Sequence, residues 1–347
     1  MKKEIWGTTK NGENVSLYTL ENANGMVIKI SEYGATLQSL IVPGKDEKNY
    51  DVVLGYDTLQ GYENKSGAFY GATIGRNSNR IGNARFELNG NTYLLEKNNG
   101  ENNLHSGKDC FSYRVWDVKS ITKNSIVFSI YSPDGDQGFS GAVQTYVKYT
   151  LTDENEVQIE YSGTPETEQD TIVNMTNHSY FNLNGHKVGN ILEHDVWINA
   201  DSFLRTNEES VPTGEITSVN NTPMDFRKKK KIGKNIKDNY EALILGKGYD
   251  HNWCLNQNDI KEKAAELSSD VSGIIMEVYT DLPGVQLYTG NYISNEIGKD
   301  KAIYCPRQGV CFETQYYPDA INHENFQSPI FNKNNPYKST TIYKFKW

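Results

Sequence analysis

Long apolar runs are missing from this 347-residue chain. None approaches the roughly 18 residues that a membrane helix needs, so no membrane partner is expected. Positive charge is also short: the formal net charge is −9. Nothing would neutralise phosphates in bulk, which excludes nucleic acid as the expected partner. There are only four cysteines, Cys110, Cys254, Cys305 and Cys311, with no C-x-x-C pair among them. Free thiols in a cytoplasmic protein are the expectation. The opening stretch "MKKEIWGTTKNGENVSLYTL" has lysines with no apolar segment behind them, which argues against a secretory leader. Chemistry-bearing short motifs are lacking too. No H-x-H or H-E-x-x-H spacing suggests a metal, no G-x-S-x-G marks a hydrolase elbow, and "GRNSNR" is not a phosphate cradle.

Helical periodicity is scarce. "NDIKEKAAELSS" (258–269) and "IGKNIKDNYEALI" (232–244) are the two short candidates. What the chain has instead is aromatic residues, 23 Tyr and 12 Phe, in short alternating segments divided by turns. "MVIKISEYGATLQSLIVPG" (26–44) reads as two strands. "ARFELNGNTYLLEKN" (84–98) reads as a hairpin closed by Asn89-Gly90. "SIVFSIYSPDG" (125–135), "AVQTYVKYTLTDENEVQIEYSGT" (142–164) and "GIIMEVYTDLPGVQLYTGN" (273–291) continue the pattern. Many strands and little helix predict an all-β fold of stacked antiparallel sheets. Without a repeat, a low-complexity linker or a composition break, a single domain over 1–347 is expected. The run Lys228–Lys231 reads as a solvated loop, anchored by Met224 and Phe226.

Two expected strands carry candidate chemistry. Were 172–181 one strand, Ile172, Asn174, Thr176, His178 and Tyr180 would share a face, and Val173, Met175 and Phe181 the other. His178 then either packs a sheet or moves a proton. "GVCFETQYYPDA" (309–320) puts Glu313 with Cys311 and Gln315, while Val310, Phe312 and Tyr316 face away. Apolar neighbours would desolvate this carboxylate and make it a better proton acceptor. The plainer reading pairs it with an arginine. Arg76 and Arg80 on a Gly-punctuated stretch, His105 in a loop, Asp250 beside His251 between a tyrosine and a tryptophan, and Gln286 at a strand edge complete the polar candidates.

Ten stretches in order resemble one family, the aldose 1-epimerases or galactose mutarotases. They are "SEYGATLQSLIVP", "DVVLGYD", "GATIGRNSNRIGNARFELNG", "NLHSG", "TNHSYFNLNG", "VPTGEI", "TPMDFR", "YDHNW", "PGVQLYTGN" and "FETQYYPDAIN". The resemblance implies a large antiparallel β-sandwich, the galactose mutarotase-like supersandwich, with a site on one concave sheet face. It also implies Glu313 as general base and His178 as general acid. Asn79, Arg80, His105, Asp250 and Gln286 would contact sugar, with Tyr180 a lesser candidate. "LHSG" stands where "LHGG" is commoner, and "RKKKK" replaces a proline-containing loop. Neither departure touches a proton-transfer position.

The implied reaction is interconversion of the α and β anomers of free hexoses such as galactose and glucose, with no cofactor and no metal. The expected partner is the monosaccharide alone, and the protein would be a monomer or homodimer. Two other readings stay open at this level: a hexose-6-phosphate epimerase, and a non-catalytic carbohydrate-binding protein on the same fold.

Overall fold

The computed structural model describes residues 1–64, 67–257 and 259–347. Three antiparallel sheets dominate it. The largest has nine strands in the order Asp117–Ile121, Ser125–Ser132, Val143–Leu151, Glu156–Pro165, Tyr337–Lys346, Ile275–Thr280, Lys263–Ser268, Asp195–Ile198 and Lys230–Lys231. Its centre follows from period-2 patterning: Val143–Leu151 alternates buried and half-buried residues along its whole length, and Glu156–Pro165 alternates likewise, with Thr164 exposed. A five-stranded sheet is built from Lys2–Thr8, Asn14–Glu21, Val27–Ser31, Thr36–Pro43 and Asn49–Asp51. A second, ordered Pro212–Ser218, Ser202–Thr206, Asp250–Cys254, Gly284–Tyr288 and Cys311–Gln315, carries the site.

This site sheet lies on the nine-stranded one. Trp253, Val285, Leu287 and Phe312 from one layer join Met276, Val278, Tyr343 and Phe345 from the other in the largest apolar cluster. The Tyr343 hydroxyl donates to the Phe312 carbonyl across the join at 2.9 Å. The residues alternating with these apolar ones therefore face away from the core, into the concavity.

The hairpin expected at 84–98 forms as Arg85–Leu88 and Asn91–Leu94. Asn89 and Gly90 hold the positive φ values, 51° and 76°, that its two-residue turn requires. Four expectations need correction. The helix expected over 258–269 is the strand Lys263–Ser268, paired on both edges; Asn258 lies outside the described residues. Burial of Ala264, Ala265 and Leu267 between two partner strands outweighs the helix propensity of "EKAAEL". The stretch 232–244 splits into a 3₁₀ turn, Ile232–Lys234, and a five-residue helix, Glu241–Leu245. The strand expected over 172–181 is two dipeptide pieces, Thr171–Ile172 and Thr176–Asn177, followed by irregular chain. Finally, the lysine run is not simply solvated: Lys230–Lys231 pair with Asp195 and Val196 at the sheet edge. Lys229 and Lys231 meet Glu266 and Glu193, and Lys230 lies over the Phe226 ring. Met224 and Phe226 are buried beneath, as anchors should be.

Among the described residues, no helix is long and apolar enough to cross a membrane.

Candidate active site

Sheet register assembles one wall of the site. Gln286 sits opposite Asn252 on one side and Glu313 on the other, while Tyr288 sits opposite Asp250 and Cys311. These side chains share the face turned away from the core. Above them opens a cavity of about 450 Å³, lined by Asn79, Arg80, His105, His178, Tyr180, Asp250 and Glu313 among others. Seven of the eight residues expected from sequence therefore border one space. The eighth, Gln286, lies just behind and donates from Nε2 to Asp250 Oδ1 at 2.8 Å.

His178 reaches this wall from an irregular segment held by backbone bonds. Its N–H donates to the Ala72 carbonyl and its own carbonyl accepts from Gly71, each at 3.0 Å. Three residues on, Phe181 and Val310 exchange N–H···O bonds, which fastens the segment beside the strand that carries Glu313. The result is a distance of 3.6 Å from His178 Nε2 to Glu313 Oε2. That is too long for a hydrogen bond and short enough for both atoms to serve one small ligand. The expected facing holds in part. His178 and Tyr180 both line the cavity, their rings stacked at 5.0 Å, and Val173, Met175 and Phe181 enter the core. Ile172 instead joins a separate cluster, and Asn174 bonds the Tyr316 backbone.

The electrostatics follow from burial. Glu313 is 2% exposed. Desolvation raises its pKa well above the usual value, the charge of Asp250 adds to the rise, and Arg80 opposes it. His178 is pushed down to about 4 by the same loss of water, with a small opposing contribution from a bond to its own carbonyl. Among the described residues, Glu313 Oε2 and Gln286 Oε1 have no hydrogen-bond partner. Buried orphan acceptors of this kind mark where a ligand's donors would go.

Two turns supply the opposite rim. Asn79 and His105 hold positive φ, 61° and 53°, and their backbones meet: His105 N–H donates to the Asn79 carbonyl at 3.0 Å. Asn79 N–H in turn donates to His105 Nδ1 at 3.1 Å. That nitrogen is thus an acceptor, and neutral His105 carries its proton on Nε2. Burial and the neighbouring His178 and Arg80 hold its pKa well below the usual value. Arg80 Nε donates to Asn99 Oδ1 at 3.0 Å. His105, His178 and Glu313 offer ligand atoms within 4.8 Å of one another, which resembles a metal set. The Asn79 N–H opposes it: His105 would have to move its proton onto the nitrogen that already faces a donor.

Arg76 does not join Arg80. It is buried elsewhere, bonded to Ser132, Ser140, Gly141 and Thr171, so it is neither a site residue nor a surface ion pair. Several lining residues have no forerunner in the sequence reading: Phe69, Asn99, Glu208, Glu209, Tyr288 and Tyr292. Tyr288 was within reach, two positions from Gln286 on one strand. Phe69 packs 5.0 Å from the His105 ring and 5.9 Å from that of His178, yet nothing in its local sequence indicates this.

Comparison with known proteins gives consistent results. The family profile described as aldose 1-epimerase matches residues 16–344. Galactose mutarotase of Bos taurus is 40% identical over 319 residues, covering 92% of this chain and 90% of that protein. Aldose 1-epimerase of Escherichia coli K12 is 35% identical over 349 residues, covering 99% of each. Among solved structures, the GalM/aldose epimerase homologue from C. elegans superposes with a TM-score of 0.89 at 30% identity, covering 96% of this chain and 99% of that one. Galactose 1-epimerase from Lactobacillus acidophilus follows at 0.86 and 27%, covering 99% and 98%.

Proposed function

Since the chain belongs to the aldose 1-epimerase family, we propose that it interconverts the α and β anomers of free hexoses such as galactose and glucose, with Glu313 and His178 moving the protons. The observation that carries this reading is the pairing in the cavity: a desolvated carboxylate oxygen that no hydrogen-bond donor among the described residues meets, 3.6 Å from an imidazole nitrogen.

The pair needs one proton between its two members. In the starting complex Glu313 is ionised and His178 is protonated, a state that substrate hydroxyls favour by donating to the desolvated carboxylate oxygen. Glu313 takes the proton of the C1 hydroxyl, C1–O becomes a carbonyl, the bond from C1 to the ring oxygen breaks, and His178 Nε2 protonates that oxygen. The pair is then neutral on both sides, the arrangement that burial favours. Rotation about C1–C2 presents the other carbonyl face. Ring closure returns the ring hydroxyl proton to His178 and gives the Glu313 proton to the new C1 oxygen. Atoms and protons balance with no redox step. His105 donates from Nε2 and Arg80 supplies positive charge where oxygen gains electron density. Asp250, oriented by Gln286, accepts from hydroxyls farther along the ring.

A neutral sugar fits the charge of the rim. Glu208 and Glu209 border the cavity, whereas Lys229, Lys230 and Lys231 line a different cleft. A sugar phosphate would meet like charge. No disulfide forms among the described residues and three of the four cysteines are buried, which fits a reducing cytoplasmic setting. An apolar cluster drawing on residues from Tyr18 to Phe345 supports reading 1–347 as one domain.

Polarimetry on fresh α-D-glucose and α-D-galactose tests the proposal. Mutarotation should run far above the buffer rate, and Glu313→Gln should lose about 10²–10⁴-fold. A folded Glu313→Gln protein with the parent rate removes Glu313 from its role; a parent that binds sugar without accelerating mutarotation removes the activity.

A further inference from the structure

His178 touches the Glu313 strand at two points, not one. Its Nε2 faces Glu313 Oε2 at 3.6 Å, and its Nδ1 lies 3.6 Å from Cys311 Sγ, a normal hydrogen-bond distance for sulfur. Cys311 and Glu313 are two residues apart on Cys311–Gln315, so both side chains rise from the same face of the sheet. The imidazole edge lies along that face, one nitrogen against each side chain. Tyr180 stacks on the ring at 5.0 Å and Phe69 flanks it at 5.9 Å. Stacking fixes the plane of the ring but not its flip: turned over in place, the ring would set a carbon against sulfur and carry Nε2 away from Glu313.

We propose that Cys311 is a positioning residue for His178: its sulfur accepts the Nδ1–H, which selects this ring flip and leaves Nε2 as the only nitrogen that exchanges a proton. The inference rests on the functional reading above. General acid and base work at Nε2 requires Nδ1 to stay protonated through the cycle, because a ring that gives up the Nε2 proton must keep the other. The groups next to Nδ1 suit that requirement. The residue's own carbonyl, which Nδ1 alone can reach, is a second acceptor on that edge. Cys311 is fully buried, and desolvation together with the charges of Glu313 and Asp250 pushes its thiol well above the usual range. It therefore remains a neutral thiol whose own hydrogen can rotate aside. His105 is the contrasting case: a backbone N–H at its Nδ1 fixes the opposite tautomer. The two imidazoles are thus set for different tasks, His105 as a fixed donor and His178 as the exchanging group.

The test uses the full chain with ¹⁵N-labelled histidine. Long-range ¹H–¹⁵N spectra should show His178 with its proton on Nδ1 at neutral pH. Cys311→Ala, which removes one buried sulfur, should lower kcat on the order of 10–100-fold with KM within about twofold, and should shift the His178 nitrogen signals. Cys311→Ser, which keeps an acceptor there, should restore most of kcat. A wild-type protein with the proton on Nε2 would overturn the proposal, as would a Cys311→Ala variant with unchanged kcat. So would a loss of kcat that serine does not rescue and that leaves the tautomer unmoved, since that is packing alone. Glu313→Gln run in parallel separates the questions: an inactive wild type defeats the epimerase reading, whereas an active wild type indifferent to Cys311 defeats only this inference.

Discussion

A buried carboxylate oxygen that meets no donor costs a protein stability whenever the group must ionise, and Glu313, with Oε2 unbonded among the described residues, is such a group. Its folded pKa lies above the unfolded value, so its favourable contribution is present in full below the unfolded pKa and is lost as pH rises through the folded pKa. Removing the charge should therefore help the fold where it hurts the reaction. Glu313→Gln is expected to raise the urea midpoint at pH 7–8, with the gain shrinking towards pH 4, where the parent residue is protonated in both states. A lower midpoint at pH 8 would mean that the carboxylate has a stabilising partner the geometry does not reveal. Alternation in the sequence made the face of Glu313 legible, with Cys311 beside it and apolar neighbours opposite, while its role as base came from the family resemblance. Phe69 was not legible, because it meets the two histidines only through the fold.

Elements place these residues, and one glycine shows how tightly. The segment bearing His178 and Tyr180 crosses the chain entering Cys311–Gln315 at Gly309, next to the Val310–Phe181 bonds. A Cβ at 309 would lie 2.8 Å from Tyr180 Cβ and 3.2 Å from Leu54 Cδ1, closer than atoms in a packed core allow. Gly309→Ala should destabilise by about 1–3 kcal/mol, as overpacking does. It should also lower kcat several-fold by displacing the ring that stacks on His178. Urea denaturation and polarimetry check the two parts, and a variant that is unchanged in both would show that the crossing has slack. Crossings of this sort are what local pattern cannot anticipate. The regular strands of the large sheet follow from period-2 alternation, which Val143–Leu151 and Glu156–Pro165 keep without a break. At 172–181 the same alternation suggested one strand, but the backbone bonds there go to four other segments, at Leu54, 71–78, Val310 and Pro329. At 258–269, pairing on both edges turned a helix-prone stretch into Lys263–Ser268.

Over the whole molecule, the buried titratable groups set how the protein meets acid. Five of its six histidines are held below their usual pKa, chiefly by burial, with His178, His194 and His251 each at about 4. Their folded pKa values are depressed, so between about pH 6.5 and 4 the unfolded chain binds more protons than the native one at these sites. Stability attributable to them is present above pH 6.5 and declines as pH falls. Some carboxyls act in the other direction: Asp281, Glu313 and Asp319 are raised by desolvation and take protons while still folded. The depressed imidazoles are expected to outweigh these carboxyls. The urea midpoint should fall steadily from pH 7 to pH 5, before most exposed carboxylates begin to titrate. Unfolding at pH 5.5 should take up protons, which calorimetry in buffers of different ionisation enthalpy measures directly. A midpoint that holds level or rises over that interval, or a net release of protons, would mean that the raised carboxyls outweigh the imidazoles. The carboxylate thought to drive catalysis would then also be a principal stabiliser of the fold in mild acid.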